Sequence, residues 1–430
     1  MRIGPMRIGP RAGVASATGL ALLLVQGAAF GAVSAAESGT ERLRFAPFGP
    51  PPMRLSAVDD NTLACDRQHI KHIIERAQFD DVARVYWAQV NAKRSTRARR
   101  KRAGLALRKR DYMLRHPPVY RGAPLPKCRS VKARKPRKRR TLPLVSDLLR
   151  EAKRLYRFTP RPTTEALYKQ AMAREALRIG LTSGQVVGVY ALETGGIGPY
   201  YRQSGIFTTD QRCRKIKPRG RPASTALGYA QLLAANSNAM ISLDGVLFAR
   251  LLRARARQAT APRAANLRAK ASLVLRAKRD IDRATKRYRV RNGWREYVAL
   301  GKTKLGRAVH AFNLDADIGP LMQVHKLLRI RKAARAKGVT GLSGAQMELL
   351  NLVGYGRGLE MLRPVARGVP TSNFFDRLGY ERNPVAKNLT AKGLVDRIAS
   401  IIRKRMRACG SVEFLRIFAQ VRRARLAASQ

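Results

Sequence analysis

The sequence predicts a mainly α fold. Apolar residues recur at helical spacing in segment after segment, many of them opened by a Ser or Thr cap. No stretch alternates apolar and polar residues as a half-buried strand does. The chain has 430 residues, 45% of them hydrophobic, enough for a sizeable core and for two or three domains.

In chain order, residues 1–36 read as a signal peptide. Arg2, Arg7 and Arg11 precede the apolar stretch Gly19 to Val33, and Ser34, Ala35 and Ala36 follow, with cleavage expected after Ala35 or Ala36. The alternative is an uncleaved anchor helix. No transmembrane domain is expected once the signal is removed. MRIGP occurs twice in succession, so Met6 is an alternative start.

Residues 37–141 are expected to form a basic, partly disordered linker and helical region. Its Pro-rich beginning runs to Asn61. A helix follows with Ile70, Ile73, Ile74 and Ala77, then Val82, Val85, Tyr86 and Val90, as its apolar face. His69 and His72 on that helix are expected at the surface. Two basic blocks come next, Lys93 to Arg110 and Lys127 to Arg140. Such runs are solvated and flexible, or grip a polyanion.

Residues 142–390 carry the expected catalytic domain. Ser146 opens a helix through Arg157. Thr163 or Thr164 opens the next, which Gly180 stops, and Thr182 or Ser183 opens a third that ends at Glu193. A short helical stretch is expected from Gly228 to Leu233. Residues 247–310 read as an Arg-rich helical insertion, half solvated, because Leu247, Leu251, Leu252, Leu267, Leu273, Val274 and Leu275 give only a thin stripe. Helices are then expected over Leu321 to Ala336 and Ser343 to Leu352, the latter opened by a Ser343/Gln346 capping box. The basic helices Ala391 to Met406 and Ser411 to Arg425 close the chain in a segment 391–430. The last either packs its apolar face on the domain or lies on an acidic membrane.

Composition names a class of partner. With 87 Lys and Arg against 27 Asp and Glu, the net charge is +60. Nucleic acid, anionic cell-envelope polymers and acidic membranes all fit that charge. Few aromatics interleave the basic blocks, so a base-stacking surface is not indicated. Cys65, Cys128, Cys213 and Cys409 allow two disulfides in three connectivities, or four free thiols. Their spacing matches no metal site, and nothing calls for a cofactor. His310 and His325 lack an acid or Cys partner at catalytic spacing and are expected in core or surface roles.

The residue with most chemical promise is Glu193. It ends an apolar run, Val186 to Leu192, and is followed by Gly195, Gly196 and Gly198. The negative end of a helix and apolar neighbours such as Tyr190, Leu192, Tyr200 and Tyr201 both favour its protonated form. The +60 field opposes them. A carboxyl that keeps its proton near neutral pH can protonate a glycosidic oxygen.

A second stretch, Ala223 to Leu233, reads ASTALGYAQLL. Together, the two stretches resemble the lysozyme-like lytic transglycosylases, which cleave peptidoglycan. That family has a helix ending in Glu-Ser and then a Gly-Ala-x-Gly-Leu-Met-Gln segment. Here Glu193-Thr194 and the run Thr225 to Gln231 stand in those places. Thr replaces Ser, Tyr229-Ala230 replaces Leu-Met, and Ala234 stands where a Pro is usual. The family's later Tyr-Asn-Ala-Gly-Pro-Gly segment is weakly matched by Val353 to Gly358, with Asn351 an alternative source of the amide in a slipped register.

The resemblance implies a lysozyme-like helical domain with Glu193 as acid/base and Gly228, Tyr229, Gln231, Tyr355 and Gly356 binding the substrate, peptidoglycan glycan strands. It implies a periplasmic or secreted protein. One Glu would protonate the bond between MurNAc and GlcNAc. The same Glu would then take the proton of the muramoyl hydroxyl that attacks intramolecularly, leaving a 1,6-anhydro end. A hydrolase would need a second carboxylate, for which Asp210 and Asp244 are the nearby candidates. The rival functions are nucleic-acid binding, or a non-catalytic cationic envelope protein, on a degenerate core of the same kind.

Overall fold

Most helices begin where the sequence offers a cap. The computed structural model describes residues 60–128, 142–286 and 294–428. The expected signal segment, nearly all of the Pro-rich stretch and most of the second basic block lie outside the described residues. The first half of the chain supplies α1 (Asp60–Arg102), α2 (Val145–Tyr156), α3 (Glu165–Arg178) and α4 (Ser183–Thr194), then a two-stranded antiparallel hairpin, β1 (Ile206–Thr209) and β2 (Lys215–Gly220). There follow α5 (Ala234–Arg257), α6 (Ala261–Thr285), α7 (Trp294–Leu300), α8 (Lys304–His310) and α9 (Ile318–Arg335). The chain closes with α10 (Gly344–Val353), α11 (Tyr355–Met361), α12 (Arg377–Arg382), α13 (Ala391–Arg405) and α14 (Cys409–Ala427). The class is mainly α.

Thr164 caps α3, Thr182 and Gln185 box the start of α4, and Ser343 and Gln346 box the start of α10. The hairpin was not expected, because neither IFTT nor KIKPRG alternates cleanly. It pairs Ile206 with Gly220 and Phe207 with Arg219. Gly228 to Leu233 is not helical either: Leu227 bridges Leu232 across a tight turn, and α5 starts only at Ala234.

The α4 helix lies within the main core. Val186 to Ala191 are all buried, so it shows no polar face. The neighbouring helices α10, α13 and α14 cover it. The α10 crossing is a backbone contact, since a Cβ on Gly344 would lie 2.3 Å from the Gly184 carbonyl oxygen. The other ends of the two helices meet at Glu193 and Asn351. They therefore run in the same direction, and α10 delivers its later turns to the end of α4.

The α5–α6 hairpin departs from the expected half-solvated insertion. Phe248, Leu252, Leu267, Val274 and Ile281 are buried in the main core. Phe248 meets the His325 ring of α9 edge-on at 5.2 Å. All described residues belong to one compact unit, so the boundaries expected after residues 141 and 390 fall inside it.

The longest helix, α1, also differs from expectation. Ile70 and Ile73 are 56% and 63% exposed, and the buried contact is made further on by Ala83, Tyr86, Trp87 and Val90. The first basic block is only partly solvated. Arg97 is 2% exposed, with Nε 2.7 Å from Glu360 Oε1, Nη1 3.0 Å from the Asp111 carbonyl and Nη2 2.9 Å from the Asn373 carbonyl. A guanidinium tolerates this burial because its donors are matched to acceptors. At the other end of the chain, α14 packs on α3 and α4, and its Phe414, Ile417, Phe418 and Val421 are buried.

Two disulfides form, Cys65–Cys128 and Cys213–Cys409. The second ties the loop between β1 and β2 to the first residue of α14. Among the described residues no helix is long and apolar enough to cross a membrane.

Candidate active site

Three helices converge on Glu193. It is half-buried on the last turn of α4, which ends at Gly195 in the left-handed conformation. Asn351 of α10 donates from Nδ2 to Glu193 Oε1 at 2.7 Å. The same nitrogen lies 3.3 Å from both carboxylate oxygens of Glu348, one turn earlier on α10. Glu348 is 0% exposed. Lys326 of α9 completes the cluster, its charge acting on both acids, and its Nζ donates to the Ala230 carbonyl at 3.2 Å.

The electrostatics follow from burial and proximity. Burial raises the Glu193 carboxyl above its ordinary range, while Lys326 and the hydrogen bonds from Glu348 and Asn351 pull it back. Burial, and then the charge of Glu193, push Glu348 much further up. Burial lowers Lys326, and the two carboxyls oppose that. Glu348 is the more strongly raised of the pair and keeps its proton, while Glu193 is raised less because Lys326, Glu348 and Asn351 favour its ionised form, so it can both give and take a proton. Asn351 Oδ1 is buried and has no hydrogen-bond partner among the described residues. It is an acceptor left free at the site.

The segment from Gly228 to Gln231 forms a second wall, held by α9. Gln323 Oε1 accepts from the Ala230 amide at 2.8 Å. Gly228 has φ +80°, and a Cβ there would meet Gln323 Nε2 at 2.3 Å, so the turn requires glycine twice over. Gln231, half-buried, donates to the Gly228 and Arg202 carbonyls at 2.8 and 3.2 Å. Arg202 in turn donates to the Thr194 carbonyl, joining this wall to the end of α4. His310 anchors the segment from below. Its Nε2 donates to the Thr225 carbonyl at 2.7 Å, which leaves Nδ1 to accept from the Ser237 hydroxyl, also at 2.7 Å.

The expected substrate residues are therefore divided. Lys326 brings the Gly228–Gln231 turn to Glu193. Tyr229 is a correction: it is 1% exposed, its hydroxyl donates to Glu165, and its ring packs among Tyr168, Tyr190 and Phe414, so it offers a ligand no surface. Tyr355 and Gly356 are exposed on α11, just beyond Asn351 in the chain. It is Asn351, not the Gly356 segment, that touches the acid. Asp210 and Asp244 are both engaged elsewhere. Arg214 and two backbone amides hold Asp210, and Arg329 binds both oxygens of Asp244 at 2.6 Å.

Glu348 and Lys326 were not singled out from sequence. Glu348 sits in MELLNLV and reads as the polar face of an amphipathic helix, and Lys326 is one cation among 87. An acid three residues before an Asn on a helix expected to neighbour Glu193 was the available signal. Elsewhere, Cys65, His69 and Cys128 lie within metal-ligand reach of one another, but the two sulfurs are bonded to each other. No protein family, curated protein or solved structure matches the chain.

Proposed function

We propose that the protein is a peptidoglycan lytic transglycosylase in which Glu193 acts as both acid and base. The observation that carries the reading is the isolation of Glu193 as the accessible acid of the cluster. Its partner Glu348 is fully buried and cannot hold a water against a sugar, and Asp210 and Asp244 are neutralised by arginines. One accessible carboxyl suits the intramolecular route, which needs no second carboxylate. Raised by burial, Glu193 gives its proton to the glycosidic oxygen as that bond breaks. The resulting carboxylate is met by the Glu348 proton, the Asn351 amide and the Lys326 ammonium. It then takes the proton of the C6 hydroxyl as that oxygen attacks the anomeric carbon, which restores the starting state. Gln231, half-buried at the end of the Gly228 turn, is the polar side chain offered to the sugar. A periplasmic or secreted location goes with this reading, and the two disulfides support it.

The test is digestion of purified sacculi by the parent and by Glu193→Gln, with products identified by mass spectrometry. The expected result is anhydro-ended fragments from the parent and a rate lower by at least about 100-fold in the variant. Reducing ends instead would make the reaction a hydrolysis. No soluble product from either protein would remove the enzyme reading.

A further inference from the structure

The Cys213–Cys409 bridge joins two cationic segments that lie far apart in the chain. One is the β1–β2 hairpin, where Arg212, Arg214, Lys215, Lys217, Arg219 and Arg221 are all exposed. The other is the junction of α13 and α14, where Arg403, Lys404 and Arg407 are exposed. Among the described residues, Arg214 alone of these nine has an acidic partner, Asp210. The nearest acid on α14, Glu413, is taken by Lys169. Like charges gathered in this way repel one another, and an anionic ligand relieves that repulsion.

The hairpin is fixed, not loose, and its mounting is the loop that follows Glu193. Thr209 donates from Oγ1 to the Ile197 carbonyl at 2.7 Å, and Arg202 at the hairpin base reaches the Thr194 carbonyl. From the other side, the Ser411 amide donates to the Gly196 carbonyl at 3.0 Å, and Arg405 donates to the Leu192 carbonyl. Both cationic segments thus hang from the residues on either side of Glu193.

We infer that this composite face is an anion-binding surface that holds a carboxylate-bearing glycan strand alongside the Glu193 site. The choice of glycan rests on the transglycosylase reading. It also rests on the lack of a stacking platform: Phe207 is the exposed aromatic of the hairpin, and the Arg202 guanidinium lies over its ring at 5.4 Å. Nucleic acid without sequence preference is held by open aromatic faces as well as by charge.

Cosedimentation with purified sacculi tests the surface, using the Glu193→Gln protein so that the polymer stays intact. In that background Lys215→Gln/Lys217→Gln/Arg219→Gln and Arg403→Gln/Lys404→Gln/Arg407→Gln are each expected to bind about tenfold more weakly, the worth of three exposed ion pairs. Amidating the sacculus carboxyls is expected to weaken the unsubstituted surface at least as much. An unchanged melting temperature and an intact Cys213–Cys409 bridge, seen by non-reducing mass spectrometry, show that the variants are folded. Unchanged binding in both variants overturns the inference, as does unchanged binding to amidated sacculi. So does a loss confined to a short DNA duplex. The two readings separate cleanly: a parent that binds through this face without cutting removes the transglycosylase, and a parent that cuts while its variants bind unchanged removes the surface.

Discussion

A carboxyl pair packed beside a lysine is sensitive to that lysine. The Lys326 cation favours the ionised form of Glu193, so Lys326→Met raises the Glu193 carboxyl further. The alkaline limb of the pH–rate profile on sacculi is expected to move to higher pH. A carbon-13 titration of the glutamate carboxyls, which needs no turnover, should move the same way, and an unshifted Glu193 signal would contradict this account of the cluster. Glu193 itself was legible in the sequence, because an acid that closes an all-apolar helix is conspicuous in so basic a chain. Asn351 was half legible, as an amide in a slipped register. Glu348 was hidden, since the burial that makes it chemically special is a property of the α4–α10 crossing and leaves no mark on MELLNLV.

At the level of elements, the Gly228 turn and α11 make opposite demands. Gly228→Ala places a Cβ against Gln323 in a left-handed backbone, at a cost of about 1–3 kcal/mol. Gly356→Ala meets open space within a helix and gains up to about 1 kcal/mol from helix propensity. Thermal or urea melts of the two variants are expected to move in opposite directions, and a destabilised Gly356→Ala would contradict the placement of α11. Because it spares the fold, that variant also shows cleanly whether α11 contributes to activity. Capped helices such as α3, α4 and α10 were readable because Thr164, Thr182 and Ser343 announce them. The hairpin was not, because neither of its short strands alternates cleanly and the Cys213–Cys409 bridge that pins its loop was one of several possible pairings. The face of α1 was misread for a related reason. Ile70, Ile73 and Ile74 have the right spacing for a core, but the helix reaches the core only from Ala83 onward.

For the whole molecule, buried histidine sets an acid limit. Burial lowers the His310 imidazole from its ordinary 6.5 to about 4. The unfolded chain therefore binds the extra proton first, so this contribution to stability is complete above about pH 6.5 and is lost as pH falls toward 4. The loss is about 3 kcal/mol. The raised carboxyls of Glu193 and Glu348 act in the opposite sense, so the effect is best read as a difference. Melts from pH 7 to pH 4 should show a larger fall for the parent than for His310→Gln, which cannot charge, and equal falls would contradict it. The bridge from Cys213 to Cys409 has a consequence of another kind. Its ends are 196 residues apart, so a chain emerging from its N-terminal end presents α4 long before α14 exists to clamp the loop behind Glu193. The newborn protein thus carries its acid in an unfinished setting, and oxidation of those two thiols to the bridge is the step that dates its maturity.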